Sequence, residues 1–521
     1  MSRKELPDLL PLTTAQRGLW MAQYIAPPGS SFNIAEALYL DGDIDEELFL
    51  RSLYEVRHEI AILRSRIFSD SENLYLTFIS DDVTFPLIDM SNYPDPDTSA
   101  WDWMQKETRK PTDITTQSLW KNALIRLGYQ RYVWFHCGHH IVLDGFTGGL
   151  VAARVAQVYS ARAEGREPGL SEYNSPEVLS EQERIYGESR RYEADKEYWR
   201  RELTDLPEPV SLSVRPHKPL TGENGGELAR EISLSAESVE RITEVGKAYG
   251  GSLPQTLTAL LAAYIFLVTE QNDLVVGMPV SARVNRILRK TPGMVANGIV
   301  LRFHFDEGIT FSDLVQQSRS VMMRALRHQL FRYEELRRTL GLLETGQHIT
   351  RLGINIEPFN YRLAFGECVA RNRNISNGSM QDLTFFVFDR QDGRGLVIQA
   401  DANPALYTAE ELDAHLERIR LMVNKILERP GQCISSVTLV SAEEEALHAA
   451  EEEAAVRLWP DNDAASLLMQ SLDRKGHESA LIDCDGTVSS RFLYEEAEHL
   501  AKRLKAAGLA PGHLVAVALP R

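Results

Sequence analysis

Short apolar runs alternate with longer segments of helical periodicity through the first 200 residues or so. Consecutive apolar residues predict strands at 74–79, 123–127 and 132–137. Apolar residues that recur every three to four positions predict helices at 13–25, 45–59, 144–163 and 181–203. The helix at 181–203 is strongly polar, and Thr14 is a candidate N-cap of the first helix.

A second series of strands and helices starts after residue 226. Strands are predicted at 227–233, 274–279, 297–305, 352–356, 383–388 and 396–400. Helices are predicted at 235–249, 253–270, from the end of the 297–305 strand to about 328, and at 409–427. The helix at 253–270 is almost wholly apolar and should be buried. Strands separated by helices predict an α/β or α+β class, and two similar halves predict two lobes with a ligand cleft between them.

Composition narrows the class of protein. The 521 residues are 43% hydrophobic and carry a net charge of −18, so no basic excess exists to bind nucleic acid or an anionic membrane. The four cysteines, Cys137, Cys368, Cys433 and Cys484, are far apart and favour a reduced, cytoplasmic protein. Neither a signal peptide nor an apolar run of membrane-spanning length is recognisable, so we expect neither.

Two adjacent histidines, His139 and His140, follow the predicted strand at 132–137 and precede Asp144 and Gly145. An imidazole at a strand end titrates near neutrality and can hold or pass a proton. Gly145 allows a tight turn or a close approach to a ligand. This pattern predicts an active-site turn, and a structural histidine pair is the simpler alternative.

A zinc site is a further alternative for the same segment, because His136, His139, His140 and Asp144 supply enough ligands. Adjacent ligands in an extended strand point apart, however, and no second cluster of ligands occurs elsewhere. We therefore expect no metal.

The pattern H-H-x-x-x-D-G at 139–145 resembles the active-site motif of the condensation domains of nonribosomal peptide synthetases and of related CoA-dependent acyltransferases. Further stretches resemble the family's motifs in the same order, at 12–20, 57–68, 198–203, 277–283, 292–302 and 328–336. Relative to the family motif, the stretch at 57–68 carries an extra residue or two between its halves. In the stretch at 328–336, Arg332-Tyr333 stands where the family motif has Pro-Phe. The resemblance implies two chloramphenicol-acetyltransferase-like lobes, residues 1–180 and 181–436, in a V-shaped pseudodimer with a tunnel between them.

The resemblance also implies the chemistry, which is amide formation. The amine of an aminoacyl group on an acceptor carrier protein attacks an acyl thioester on the phosphopantetheine arm of a donor carrier protein. His140 is then the key histidine, as general base or as the group that positions the amine and stabilises the zwitterionic intermediate. His139 and Asp144 are expected to be structural, with Asp144 paired to Arg64. Gly145 is expected to let the pantetheine arm pass.

Three more residues are expected in the substrate tunnel from their motif positions: Gln16, Trp20 and Asn297. The alternative to substrate contact is that these residues pack in the core, and this alternative applies most strongly to Trp20.

The C-terminal segment differs from the rest of the chain. Residues 437–460 contain an acidic, helix-prone linker, and 461–521 resemble the start of an adenylation domain without its phosphate-binding loop or catalytic lysine. We expect this segment to be inactive alone and to precede a downstream adenylation domain.

No carrier domain precedes the first motif, so the donor is expected in trans, and the chain is expected to be a monomer. The opening resembles synthetases that take an aryl acid from a separate aryl carrier protein, which implies an aryl donor and siderophore or antibiotic biosynthesis. Two alternatives stay open: a starter-type condensation that uses acyl-CoA, and a non-catalytic platform that recruits carrier proteins or tailoring enzymes. Epimerising relatives follow a carrier domain, and cyclising relatives replace the motif with an aspartate pair, which this sequence does not have.

Overall fold

The computed structural model describes residues 9–26, 31–70, 73–79, 83–215, 228–342, 348–357, 363–378, 380–390, 393–455, 463–483, 486–510 and 512–518. The chain divides into two compact units, Met1–Leu439 and Val440–Arg521. Cys484, the first residue of the strand predicted at 227–233 and parts of the predicted linker and adenylation-like segment lie outside the described residues.

The first half of the larger unit is built on a five-stranded sheet. Its strands are β2 (Asn33–Asp41), β5 (Leu87–Asp89), β6 (Trp120–Gly128), β7 (Arg131–His139) and β14 (Arg371–Ser376). Their order is β14-β2-β7-β6-β5, and only the β5–β6 pair is parallel. A smaller sheet has the order β1-β4-β3, from β1 (Leu9–Pro11), β3 (Ser65–Ser69) and β4 (Leu74–Phe78).

Helices cover both faces of the five-stranded sheet. The helices of this half are α1 (Thr14–Ile25), α2 (Glu46–Glu59), α3 (Pro96–Arg109) and α4 (Gly145–Ala163). They are followed by α5 (Glu177–Gly187) and by α6 (Arg190–Glu202), which buries Tyr198 and Trp199 in the core of the second half. Helices α2 and α4 contact each other, and their face of the sheet buries Trp120 and Trp134 completely. Helix α3 packs against β2, β6 and β14 on the other face. Apolar side chains therefore fill both faces, as expected for a central sheet.

The second half is built on a six-stranded mixed sheet. Its strands are β8 (Leu228–Leu234), β9 (Asp273–Val280), β10 (Asn297–His304), β11 (Leu352–Glu357), β15 (Leu383–Phe388) and β16 (Leu396–Ala402). Their order is β10-β9-β11-β15-β16-β8, with β11 parallel to both neighbours. Two short strands, β12 (Ala364–Phe365) and β13 (Cys368–Val369), form a hairpin before β14.

The helices of the second half surround this sheet. They are α7 (Ala236–Ala248), α8 (Leu253–Thr269), α9 (Arg286–Arg289), α10 (Phe311–Arg327), α11 (Tyr333–Thr339) and α12 (Ala409–Glu428). Helix α8 is buried from Thr256 to Ile265, as its apolar sequence predicts. Among the described residues, no single helix is long and apolar enough to cross a membrane, although α7 and α8, bent by 96°, meet that test when taken together.

The smaller unit contains α13 (Ala442–Ala455), α14 (Ala464–Lys475), β17 (Ser479–Asp483), β18 (Gly486–Ser489) and α15 (Ser490–Ala506). Strands β17 and β18 form an antiparallel hairpin. Helix α13 matches the helix expected in the acidic linker. Three of the four cysteines are described and are free thiols, with Cys137 and Cys368 buried.

Three expectations about elements need correction. The polar helix predicted at 181–203 is two helices, α5 and α6, and the second begins afresh because Ser189 accepts a hydrogen bond from Tyr192 N–H as N-cap. The N-cap of α1 is Thr13 rather than Thr14, in a capping box with Gln16. Strand β14 lies within the predicted second lobe but pairs with β2 of the first, so the sequence division near residue 180 does not separate the two sheets.

Candidate active site

His140 follows β7 and opens the turn into α4. Its backbone N–H donates to Phe32 O at 2.8 Å, and its Nδ1 lies 2.8 Å from Leu143 O. Because a carbonyl oxygen can only accept, Nδ1 of the neutral ring carries the hydrogen and Nε2 keeps its lone pair. The ring is partly exposed and lines a cavity of about 1050 Å³. His140 can therefore accept a proton or a hydrogen bond from a molecule in this cavity.

His139 has a different environment from its neighbour. Its side chain is buried, and Nδ1 accepts a hydrogen bond from Ile141 N–H at 3.1 Å. Burial lowers the pKa of His139 to about 3, with smaller contributions from His140 and Lys121, so the ring is neutral at pH 7. A neutral, buried ring with this hydrogen bond braces the turn, and the structural role expected for His139 stays a prediction.

Asp144 is the N-cap of α4 and connects the turn to the second half of the unit. Its Oδ1 accepts from Thr147 N–H at 2.7 Å, and its Oδ2 accepts from Val295 and Ala296 N–H at 2.9 and 3.0 Å. Arg283 donates from Nη2 to both oxygens, at 3.1 and 3.0 Å. Burial opposes ionisation, but Arg283 and the backbone donors outweigh it and lower the pKa of Asp144.

The prediction that Asp144 pairs with Arg64 is wrong, because Arg283 is the arginine that forms the ion pair with Asp144. Arg64 ends a short 3-10 helix, Ala61–Arg64, and leads into β3 of the small sheet. Arg283 follows β9 and also donates to the backbone oxygens of three residues of the second half, Leu288, Thr291 and Gly293. The predicted motif at 277–283 therefore supplies the arginine that fixes the active-site turn.

Two of the expected tunnel residues are buried supports. Gln16 is 1% exposed, and its Nε2 donates to Ile141 O at 3.2 Å, which holds the turn from the side of α1. Asn297 donates from Nδ2 to Gln329 O and Phe331 O, both at 2.8 Å, and so fixes the loop between α10 and α11.

The third, Trp20, stacks on Tyr24 with ring centroids 5.3 Å apart and packs against the core of the first half. None of the three is among the described residues that line the cavity. Their motif positions reflect packing and loop support instead.

Both halves of the larger unit line the cavity. The first half contributes His140, Gly145 and Phe146, and the second contributes Met278 and Ala296. Gly145 is exposed and is the first residue of α4, so the wall at this point carries no side chain. Its predicted role in admitting a pantetheine arm stays a prediction.

The zinc alternative finds no site in the described part of the chain, where no three His, Cys, Asp or Glu side chains are placed to hold a metal ion. Nδ1 of His139 and both oxygens of Asp144 already accept hydrogen bonds, and Nε2 of His139 is buried without a partner among the described residues. The absence of metal from the protein itself stays a prediction.

Comparison with known families matches residues 7–447 to the family described as Condensation domain. The chain belongs to the condensation-domain family. It is 32% identical to the dimodular nonribosomal peptide synthase of Bacillus subtilis (strain 168), over 98% of this chain and 21% of that protein. It is 25% identical to enterobactin synthase component F of Escherichia coli (strain K12), over 98% of this chain and 39% of that protein. The domain thus spans well under half of these relatives.

Solved structures agree with this assignment. The domain is similar to the starter condensation domain of rhizomide synthetase, a variant of which was solved with C8-CoA, with a TM-score of 0.77 and 31% identity. The match covers 83% of this chain and 98% of that one. The predicted family and the mixed α/β, chloramphenicol-acetyltransferase-like fold are therefore confirmed.

Proposed function

We propose that this domain forms an amide bond between a donor acyl thioester and the amine of an aminoacyl thioester. The observation that carries the proposal is the orientation of His140, whose Nδ1 bond to Leu143 O leaves Nε2 free to meet a molecule in the cavity. A catalytic base must first lie within hydrogen-bonding reach of the proton that it accepts, and its pKa matters only after that condition is met. The ties of Asp144 to Arg283 and of Gln16 to Ile141 hold the turn from two sides.

The chemistry requires little from the protein beyond placement. The amine nitrogen attacks the thioester carbonyl carbon, the C–N bond forms, the C–S bond breaks and the thiol leaves with a proton. His140 acts either as the acceptor of the amine proton or as the group that orients the amine. Two tethered reactants in one enclosed space gain most of the acceleration from proximity.

Carrier proteins with phosphopantetheine arms are the proposed bearers of both substrates. A cavity of about 1050 Å³ is at the upper limit of small-molecule pockets, which suits an extended arm with its acyl group. We further propose that the donor carrier binds in trans, that an adenylation domain follows residue 461, and that the domain acts in the cytoplasm as a monomer. We propose an aryl acid as the donor class. The opening of the sequence resembles synthetases that take an aryl acid, and enterobactin synthase component F is among the relatives.

The experiment combines the domain with a separately purified acyl-loaded donor carrier and an aminoacyl-loaded acceptor carrier, without ATP. Mass spectrometry of the acceptor arm should show the added acyl mass, because the thioester is already activated. His140→Ala should abolish the product while the melting temperature stays near that of the wild type, and His304→Ala, at an exposed site, is the matched control.

Each outcome separates the alternatives. Full turnover by His140→Ala would refute the role of His140. Tight carrier binding without transfer from any loaded donor would favour the recruitment platform. Equal use of acyl-CoA would favour starter-type condensation, the kind named for the structural relative that was solved with C8-CoA.

A further inference from the structure

Four polar side chains form a row across the five-stranded sheet next to the active-site turn. Asn374, Glu36, His136 and Asn122 occupy directly opposite positions on β14, β2, β7 and β6. Directly opposite residues of antiparallel strands project to the same face, with Cβ atoms about 5 Å apart. We call these four residues the polar row. Three of them, Asn374, Glu36 and His136, line the same cavity as His140.

Three members of the polar row are buried, Glu36 is partly buried, and two of the buried side chains are incompletely hydrogen-bonded within the described part of the chain. Asn122, His136 and Asn374 are 4%, 6% and 8% exposed. Nε2 of His136 and Nδ2 of Asn122 are buried without a hydrogen-bond partner. Native proteins rarely leave such groups unsatisfied, and each one calls for an explanation such as a bound water or ligand.

Glu357 faces the same cavity from the second half of the unit, at the end of β11. Asn355 Nδ2 donates to one of its carboxylate oxygens at 2.8 Å, the only hydrogen bond that its side chain makes to a described residue. Arg390 lies 3.8 Å from Glu36, and the buried Asp401 accepts hydrogen bonds from Asn377 and Gln399 at 2.7 Å. Glu36 and Glu357 are therefore the carboxylates that line this end of the cavity within the described part of the chain, and Asp401 lies buried outside the lining.

Protonation equilibria agree with this geometry. Burial, followed by the charge of Glu36, raises the pKa of Glu357 to about 7. Burial lowers the pKa of His136 to about 4, so its ring is neutral at pH 7 and has one nitrogen that accepts. Both groups would be stabilised by a partner that donates hydrogen bonds.

We infer that Glu357 and the three cavity-lining residues of the polar row, Glu36, His136 and Asn374, form a recognition subsite for a donor acyl group whose far end carries hydrogen-bond donors. Asn122, whose unpartnered Nδ2 is itself a donor, is not among the described residues that line the cavity. The inference rests on the proposed amide-forming function and deepens it. Glu36 lies three positions along β2 from Asn33, which pairs with His139, so the subsite begins roughly 10 Å from the active-site turn. Phenolic hydroxyls and a protonated amine share the required chemistry, whereas an alkyl chain would leave these polar groups unpaired.

Two pairs of matched probes test the inference on one donor carrier. The first pair is 3-(4-hydroxyphenyl)propanoyl and 3-phenylpropanoyl, and the second is 7-aminoheptanoyl and octanoyl. Sites that hydrogen-bond a substrate discriminate against the analogue that lacks the donor group. We expect kcat/KM for at least one polar probe to exceed that of its apolar partner by about tenfold or more.

Variants of Glu357 identify which donor group the subsite accepts. Glu357→Leu removes the acceptor and should reduce the polar-to-apolar ratio to about one. Glu357→Gln keeps an acceptor oxygen but removes the charge, so it should reduce the ratio for the amine pair far more than the ratio for the phenol pair. Glu307→Gln, an exposed carboxylate of the same unit, is the matched control and should change neither ratio.

The outcomes distinguish this inference from the proposed function. Products from all four probes without polar preference, or ratios that Glu357→Leu leaves unchanged, would overturn the subsite while amide formation stands. No product from any probe would refute the proposed function, and the subsite with it. The melting temperatures of both Glu357 variants are the folding control. Values near that of the wild type show that a changed ratio reports altered recognition of the acyl group and not a folding defect.

Discussion

The Asp144 carboxylate and the Arg283 guanidinium form a buried ion pair, with Oδ2 and Nη2 3.0 Å apart and both side chains 1% exposed. The two residues come from different halves of the larger unit. The pair therefore couples the position of the active-site turn to the strands of the second sheet. Loss of either partner would therefore disturb the turn that carries His140.

Asp144→Ala should lower the free energy of unfolding by about 3–5 kcal/mol, because Arg283 is left buried without a counter-ion. Denaturation in urea measures the change. Arg283→Met should also destabilise, and the double variant should be more stable than the sum of the single changes predicts. Asp413→Ala, at an exposed carboxylate, is the control. A loss below about 0.5 kcal/mol in Asp144→Ala would contradict the structural role.

Acid should destabilise the larger unit through His136 and His139. Their folded pKa values, about 4 and about 3, lie below the unfolded value near 6.5. The stabilisation from the neutral rings is thus fully present above pH about 6.5 and is lost as pH falls toward the folded values. Each ring should remove about 1.4 kcal/mol per pH unit between pH about 6 and about 4. Denaturation at pH 7, 6 and 5 measures this slope.

The control for the acid effect is His136→Gln. This variant keeps a polar side chain but cannot titrate, so its stability should fall less steeply between pH 6 and 5 than that of the wild type. Equal slopes would show that His136 does not contribute.

Purified protein should contain no stoichiometric metal. Asp144 accepts hydrogen bonds at both oxygens and Nδ1 of His139 accepts one from the backbone, so an ion bound at these atoms would have to replace existing hydrogen bonds. Elemental analysis checks this expectation. Stoichiometric zinc together with loss of activity on chelation would contradict it, and activity that persists in chelator would support it.

Local patterns predicted the turn but not its partners. The apolar run at 132–137 and the glycine at 145 placed His140 between a strand and a helix, where the structure has it. The partner of Asp144 is 139 positions away, and no local pattern states which arginine the fold brings there. Gln16 and Asn297 were misplaced for the same reason, since their hydrogen bonds join segments distant in sequence or loops between elements.

The polar row was missed because β2 was not predicted. Glu36 interrupts the otherwise apolar run at 34–40 within β2 and weakens the strand pattern. That interruption was the available signal, because a carboxylate inside a buried strand implies a polar partner or a ligand. The break between α5 and α6 also had a local signal, a glycine followed closely by the N-cap Ser189, which the long polar periodicity concealed.

Gly138 tests how strictly the turn controls His140. A Cβ at this position would lie 2.0 Å from Cδ1 of Leu143, closer than any real contact, so Leu143 must move. The carbonyl oxygen of Leu143 orients His140 through Nδ1, so Gly138→Ala should displace the ring. We expect kcat to fall about tenfold or more, because small displacements of a catalytic group are costly. Gly149→Ala, where a Cβ meets nothing within 4 Å, is the matched control. If Leu143→Ala restores activity to Gly138→Ala by making room, the steric route is supported; wild-type kcat in Gly138→Ala would show that the turn tolerates the shift.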